Sequence, residues 1–187
     1  MAKAPKEKAY QLKITLLGLD PPIWRRVQVA GDMTLGDLHY VIQSVLDWEN
    51  CHLHEFDVRG DRFSDARFGL EDMFGDVRDE DEVYLADLNI RKGSKFKYTY
   101  DFGDDWEHLI EVEATIDRDP ETAYPVYVDG DYAAPPEDVG GAWSYAGMVI
   151  ALQDESDPEH ERWNEFFSGW DPYLIDEDGI RARLERI

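Results

Sequence analysis

The chain has 187 residues, 43% hydrophobic and 13% aromatic, which is enough apolar material for one folded domain and too much for a disordered chain. Its 42 Asp and Glu against 19 Lys and Arg give a formal charge of -23, which disfavours direct nucleic-acid binding because phosphates need clustered cations. The single cysteine, Cys51, excludes an intramolecular disulfide and a four-thiolate zinc site, and the longest apolar run, Met148 to Leu152, is too short to span a bilayer.

In chain order, residues 1–9 read as a flexible basic tail without the apolar core of a signal peptide, ahead of a single domain over 10–187 and a cytoplasmic location. Tyr10 to Leu19 alternates as a strand with Leu12, Ile14 and Leu16 on one side. Asp20-Pro21-Pro22 breaks it, and Ile23 to Val29 forms a second strand with Ile23, Arg25, Val27 and Val29 inward and Trp24 and Arg26 on the other face. Thr34 and Asp37 mark a capping box, and Leu35, Leu38, Ile42, Val45 and Leu46 recur at helical spacing, so 34–48 is an amphipathic helix packed on the hairpin. A strand over Leu53 to Val58 completes a strand-strand-helix-strand unit of β-grasp-like character.

Residues 60–80 read as a long irregular connection with a short helical turn at most, and 83–88 as a short strand or turn. Phe96 to Phe102 and Trp106 to Ile116 form a hairpin. The stretch 117–142, rich in Pro, Gly and Asp, reads as surface loop. Two or three helices close the chain, near 143–154, 158–168 and 176–186, with Pro158 in a first turn. The expected class is α+β: a mixed, mainly antiparallel sheet followed by C-terminal helices.

The turn Tyr98-Thr99-Tyr100-Asp101-Phe102-Gly103-Asp104-Asp105-Trp106-Glu107-His108 carries three Asp, one Glu and one His between large aromatics, far more polar chemistry than a tight turn needs. Such a cluster binds a cation or a basic partner, or is a heavily hydrogen-bonded corner; the residue types fit either.

Ile23-Trp24-Arg25-Arg26, Leu38-His39 with Gln43, Trp48 with His52-Leu53-His54-Glu55-Phe56, the 100–108 run, Pro135-Pro136-Glu137-Asp138-Val139-Gly140-Gly141 and Asp171-Pro172 together resemble the plasmid pRiA4b open-reading-frame-three-like family over about residues 10–187. The resemblance implies one α+β domain found in bacteria and archaea, without an established activity. Some members bear the label TnpR as passengers of insertion elements, but nothing here resembles a serine-recombinase site with its basic appendage. Members often carry cysteines around the Pro-Pro-Glu-Asp loop where this chain has Tyr127, Ala134 and Val139, so any shared function should reside in the His, Asp, Trp and Arg motifs.

Two chemistries suit these residues. His52, His54 and His108, with His39 and the Asp101, Asp104, Asp105 group nearby, could hold a divalent metal, since imidazole and carboxylate suit Zn, Mn or Fe; no other cofactor is called for. A structural reading makes an inward His39 a hydrogen-bonded core residue. Trp24, Arg25, Arg26, Asp101, Asp104, Asp105 and Trp106 form a candidate binding surface for a basic protein partner, with Arg25 expected to pair with Asp101 or Asp104 because a buried charge needs a partner. Trp24, Trp48, Trp106 and Trp143 are expected mostly in the core. Cys51 lacks a nucleophile signature, and Gly140-Gly141 suits helix capping better than anion binding. The leading expectation is a non-enzymatic interaction or accessory module linked to plasmids or mobile elements; the alternatives are a metal-dependent hydrolase using the His/Asp cluster and, third, a DNA mimic.

Overall fold

Alternation of apolar and polar residues builds the first hairpin of the computed structural model, which describes residues 7–70, 75–168 and 170–187. Strand β1 (Lys8–Leu16) turns Leu12, Ile14 and Leu16 inward and pairs antiparallel with β2 (Trp24–Ala30). It begins inside the stretch read as a tail; residues 1–6 lie outside the described ones. Helix α1 (Leu35–Leu46) starts at the expected capping box, with Thr34 Oγ1 accepting from the Asp37 amide at 3.0 Å and Asp37 Oδ2 from the Thr34 amide at 2.8 Å. Its apolar stripe lies over the sheet, and β3 (His54–Val58) follows.

The β6 (Lys95–Tyr100) and β7 (Trp106–Asp117) hairpin forms as expected. The connection read over 60–80 instead contains β4 (Asp61–Ser64), a 3-10 turn (Ala66–Phe68) and β5 (Val77–Asp79). Strands of three or four residues are too short for alternation to show. A 3-10 turn (Leu85–Leu88) occupies the 83–88 stretch. The 117–142 loop contains β8 (Val126–Asp131), an edge strand whose Asp and Gly residues disguise it. The eight strands run β5-β4-β3-β6-β7-β1-β2-β8, antiparallel except for the parallel β4–β5 pair. Helices α2 (Gly141–Gln153), α3 (His160–Phe166) and α4 (Glu177–Leu184) complete the mixed α+β fold, with Pro158 just ahead of α3 rather than in its first turn.

One core joins the sheet's inner face, α1, α2 and α4. The outer face is solvated and laced by ion pairs such as Lys95–Glu111 and Lys97–Glu107.

Arg25 does point inward, but it pairs with neither Asp101 nor Asp104. Its Nε donates to Val45 O at 3.0 Å and its Nη1 to Trp24 O and Asp131 O at 2.9 and 3.1 Å. Val45 lies in the last turn of α1, where carbonyls lack intrahelical partners and the helix dipole favours a cation. α1 has no basic residue in that turn of its own; Arg25 from β2 and Arg183 from α4, which donates to Ser44 O at 2.8 Å, supply the charge. Burial draws the Arg25 pKa down to about 10, so it stays cationic at neutral pH. Gly130 on β8 makes room: a Cβ there would sit 2.9 Å from Arg25 Cδ and from Trp24 O.

Candidate functional site

Three separated segments meet at one end of the sheet: the exit of α1 over 48–53, the β6–β7 turn over 101–105, and the loop over 135–141. Trp48 Nε1 donates to Pro135 O at 2.8 Å while its ring stacks on Tyr100 at 5.1 Å. Glu137 clamps the junction, accepting from the Glu49 amide at 2.7 Å and from the Tyr100 hydroxyl at 2.5 Å. The same hydroxyl accepts from the Cys51 and His52 amides. Burial and the Glu137 carboxylate hold the Tyr100 hydroxyl protonated well above its ordinary range.

The turn is a hydrogen-bonded corner. Asp101 and Asp105 sit at φ 55° and 54°, Asp101 Oδ1 accepts from the Gly103 amide at 2.9 Å, and Asp101 O accepts from the Asp105 amide at 2.6 Å. Asp104 Oδ2 accepts from the Gly140 amide at 2.9 Å, tying the turn to the start of α2. Gly141 is required there, at φ 79°, because a Cβ would lie 2.3 Å from Asp104 O.

His52 stands between two carboxylates of this junction, Nδ1 at 3.7 Å from Asp101 Oδ2 and Nε2 at 3.1 Å from Asp138 Oδ1. Beside it, Glu49, Cys51 and Glu137 bring two carboxylates and a thiol together. Cys51, His52, Phe68, Asp101 and Phe102 wall a cleft of about 360 Å³. The Cys51 thiol is exposed, yet desolvation and the Glu137, Glu49 and Asp138 carboxylates push its pKa up, which suppresses the thiolate a nucleophile needs.

The other two predicted metal histidines are elsewhere. His54 is buried in β3 with Nε2 at 2.9 and 3.0 Å from the Glu80 carboxyl oxygens, and its ring stacks on His39 at 3.6 Å. His39 is the core residue expected: Nε2 meets Asn50 Oδ1 and Nδ1 meets the Tyr98 hydroxyl, both at 2.8 Å, an arrangement that places its proton on Nε2. Burial lowers the His39 and His54 pKa values to about 3 and about 4 and raises that of Glu80 to about 8, so all three stay neutral near pH 6. His108 is fully buried against Trp48 and Tyr98, and among the described residues neither ring nitrogen meets a well-aligned hydrogen-bond partner; burial pulls its pKa down to about 4 against a weaker pull the other way from the Tyr98 and Trp106 backbones. Among the described residues, no group of converging metal ligands contains two of the three.

The predicted binding surface divides in the same way. Arg26 forks onto Glu113, at 2.5 and 2.8 Å, and reaches Asp129 at 3.1 Å on the outer face of the sheet. Trp24 lies there beneath Lys13 and Arg26. Trp106 is buried, Asp105 exposed, and Asp101 and Asp104 belong to the junction.

Sequence reasoning missed the outer face of α2. Trp143, expected in the core, is 90% exposed, and Ile150 (65%) and Phe166 of α3 (61%) are exposed with it. Trp143, Ile150 and Trp163 line a groove of about 490 Å³ rimmed by Asp157 and Glu159. The signal was present: from Ala142 to Leu152 only Ser144 and Gly147 interrupt an apolar run, and a helix apolar all round has a second face to cover.

A solved structure from Methanosarcina mazei Go1, the protein of unknown function MM3350, is similar with a TM-score of 0.81 and 35% identity over 92% of this chain and 97% of that one. The uncharacterized protein y4hQ of Sinorhizobium fredii is 42% identical over 155 residues, 81% of this chain and 75% of its own length. The plasmid pRiA4b ORF-3-like family matches residues 8–179, a span that takes in all three segments of the junction. With that coverage, the chain belongs to the plasmid pRiA4b ORF-3-like family.

Proposed function

We propose that this protein is a non-enzymatic interaction module that docks a basic, amphipathic helical segment of another protein on the outer face of α2, accessory to plasmid or mobile-element functions. One observation carries the reading: an apolar groove lined by the exposed Trp143 and Ile150 with Trp163, and rimmed by Asp157 and Glu159. From Gly141 to Trp170 the chain has Asp154, Glu155, Asp157, Glu159, Glu161 and Glu165 against a single Arg162. Apolar contact supplies affinity and the acidic rim selects a cationic partner. A second copy of this chain brings the same negative rim and a further -23, so like charges oppose self-association. The sequence points to a partner near the hairpin turn, and the helix that carries this face starts beside that turn, where the Gly140 amide donates to Asp104.

The test is titration of the full chain with a labelled lysine-rich amphipathic model helix and with a glutamate-rich helix of the same apolar pattern, at low and high salt. The lysine helix is expected to bind in a salt-sensitive way and to lose affinity for a Trp143→Asp/Ile150→Asp variant, whose exposed positions leave the core intact. Equal binding of both helices, or binding untouched by the double variant, refutes the reading. Self-association that the double variant abolishes reassigns the face to a second copy.

A further inference from the structure

We propose that His52, Asp101 and Asp138 form a binding site for a divalent first-row transition metal where the three junction loops meet. One ring nitrogen of His52 and one carboxylate oxygen from each aspartate lie within 4.8 Å of one another. Ligands bound at about 2.0–2.2 Å to a common tetrahedral ion stand about 3.4 Å apart. The 3.1 Å between His52 Nε2 and Asp138 Oδ1 is already of that order, and Asp138 sits in an exposed loop able to adjust.

Two independent features favour an ion over an internal bridge. The first is His52 Nε2 itself, which is shielded from solvent and, although close to Asp138, is not aligned to hydrogen bond with it or with anything else among the described residues. The second is charge. Glu49, Asp101, Asp104, Asp105, Glu137 and Asp138 crowd the junction, and among the described residues none of them forms an ion pair with a lysine or arginine. Acids on the outer sheet face are paired, as Glu107, Glu111 and Glu113 are with Lys97, Lys95 and Arg26. A bound cation would be the largest local charge and would compensate the junction directly.

The donors choose the metal class. Imidazole with two carboxylates suits zinc, manganese or iron, whereas calcium and magnesium prefer oxygen alone. The neighbouring Glu49, Cys51 and Glu137 group is the weaker holder, because Glu137 already accepts two hydrogen bonds and the Cys51 thiol is held protonated. Asp104 and Asp105 would then contribute field rather than ligation. The site is independent of the α2 docking face, and a failure of either leaves the other standing.

The experiment is calorimetric titration of chelator-treated full chain with zinc, manganese and magnesium salts in turn. Zinc is expected to bind once per chain, manganese more weakly as the ordering of divalent affinities requires, and magnesium not measurably. His52→Gln and Asp138→Asn should each weaken zinc by at least about tenfold, and Cys51→Ser should leave it unchanged. Circular dichroism of each variant checks the fold, and the exposed Asp138 keeps the test decisive should His52→Gln fail to fold. Wild-type protein that ignores zinc overturns the proposal, as does binding that survives both substitutions or is lost with Cys51→Ser.

Discussion

His52 and His54 are two residues apart and live in opposite worlds. His54 lies in the core with Glu80 beside it and His39 stacked upon it, and burial holds those three neutral near pH 6. His52 sits at the rim between two aspartates, in a crowd of acids that forms no ion pair with a lysine or arginine among the described residues. His39, His54, Glu80 and Arg25 are spent on holding interior elements together. At the rim, Asp101, Asp104 and Glu137 tie the junction loops together, whereas the exposed Asp138 adds little to them and remains available to something else. Substitutions should therefore separate the two regions by their effect on stability.

The largest effect should come from Arg25→Ala. It removes one of the two cations at the end of α1, where Arg183 remains, and leaves the Val45, Trp24 and Asp131 carbonyls without their donor, so a loss of about 3–5 kcal/mol is expected in denaturant unfolding. A loss below about 1 kcal/mol would mean that water replaces the guanidinium and that this part of the interior is not closed.

Next comes the pH dependence of the His39, His54 and Glu80 group. With its pKa raised from 4.5 to about 8, folded Glu80 keeps a proton that the unfolded chain releases, so stability falls as pH rises through that window. With their pKa values lowered from 6.5 to about 3 and about 4, His39 and His54 refuse protons that the unfolded chain accepts, so stability also falls as pH drops below 6.5. The two limbs place maximum stability near pH 6. Glu80→Gln should remove the alkaline limb, cutting the loss between about pH 5 and about pH 8 by about 3 kcal/mol. Thermal melts across that range check it, and an unchanged alkaline slope would assign the limb to the acidic surface instead.

Much of this anatomy was legible beforehand, and the exceptions have physical causes. Alternation exposed β1, β2 and the β6–β7 hairpin, and the Thr34–Asp37 box with its 3.6-residue stripe fixed α1. Inward Arg25 was legible; its partners were not, because a backbone carbonyl has no side-chain signature and charge pairing alone suggests a carboxylate. His52 and His54 were read onto one strand face, but the strand begins at His54, and the His52 amide is instead turned toward the Tyr100 hydroxyl. β4 and β5 are short, and β8, at the edge of the sheet, tolerates the Gly and Asp that pattern reading treats as loop. Trp143 was placed inside by its size, although the helix around it has more apolar surface than one core face can take.

A smaller and opposite effect is expected at His108. Two buried ring nitrogens that find no well-aligned partner among the described residues are a standing penalty, so His108→Leu, which keeps the volume and removes both, should stabilise the fold by about 1–2 kcal/mol. Destabilisation would show that its contacts with Trp48 and Tyr98 outweigh the unmet hydrogen bonds.

The rim should give the smallest change. Asp138 is 77% exposed and sits at φ 60°, a left-handed conformation that asparagine tolerates as well as aspartate. Asp138→Asn therefore keeps the backbone and the side-chain shape, removes one charge from an uncompensated acidic cluster, and should shift stability by no more than about 0.5 kcal/mol in metal-free protein. Relief of like-charge repulsion even favours a slight gain. A loss approaching that of Arg25→Ala would mean that the His52–Asp138 contact is itself a strut of the fold. The rim would then be an extension of the interior, and the division between the two neighbouring histidines would collapse.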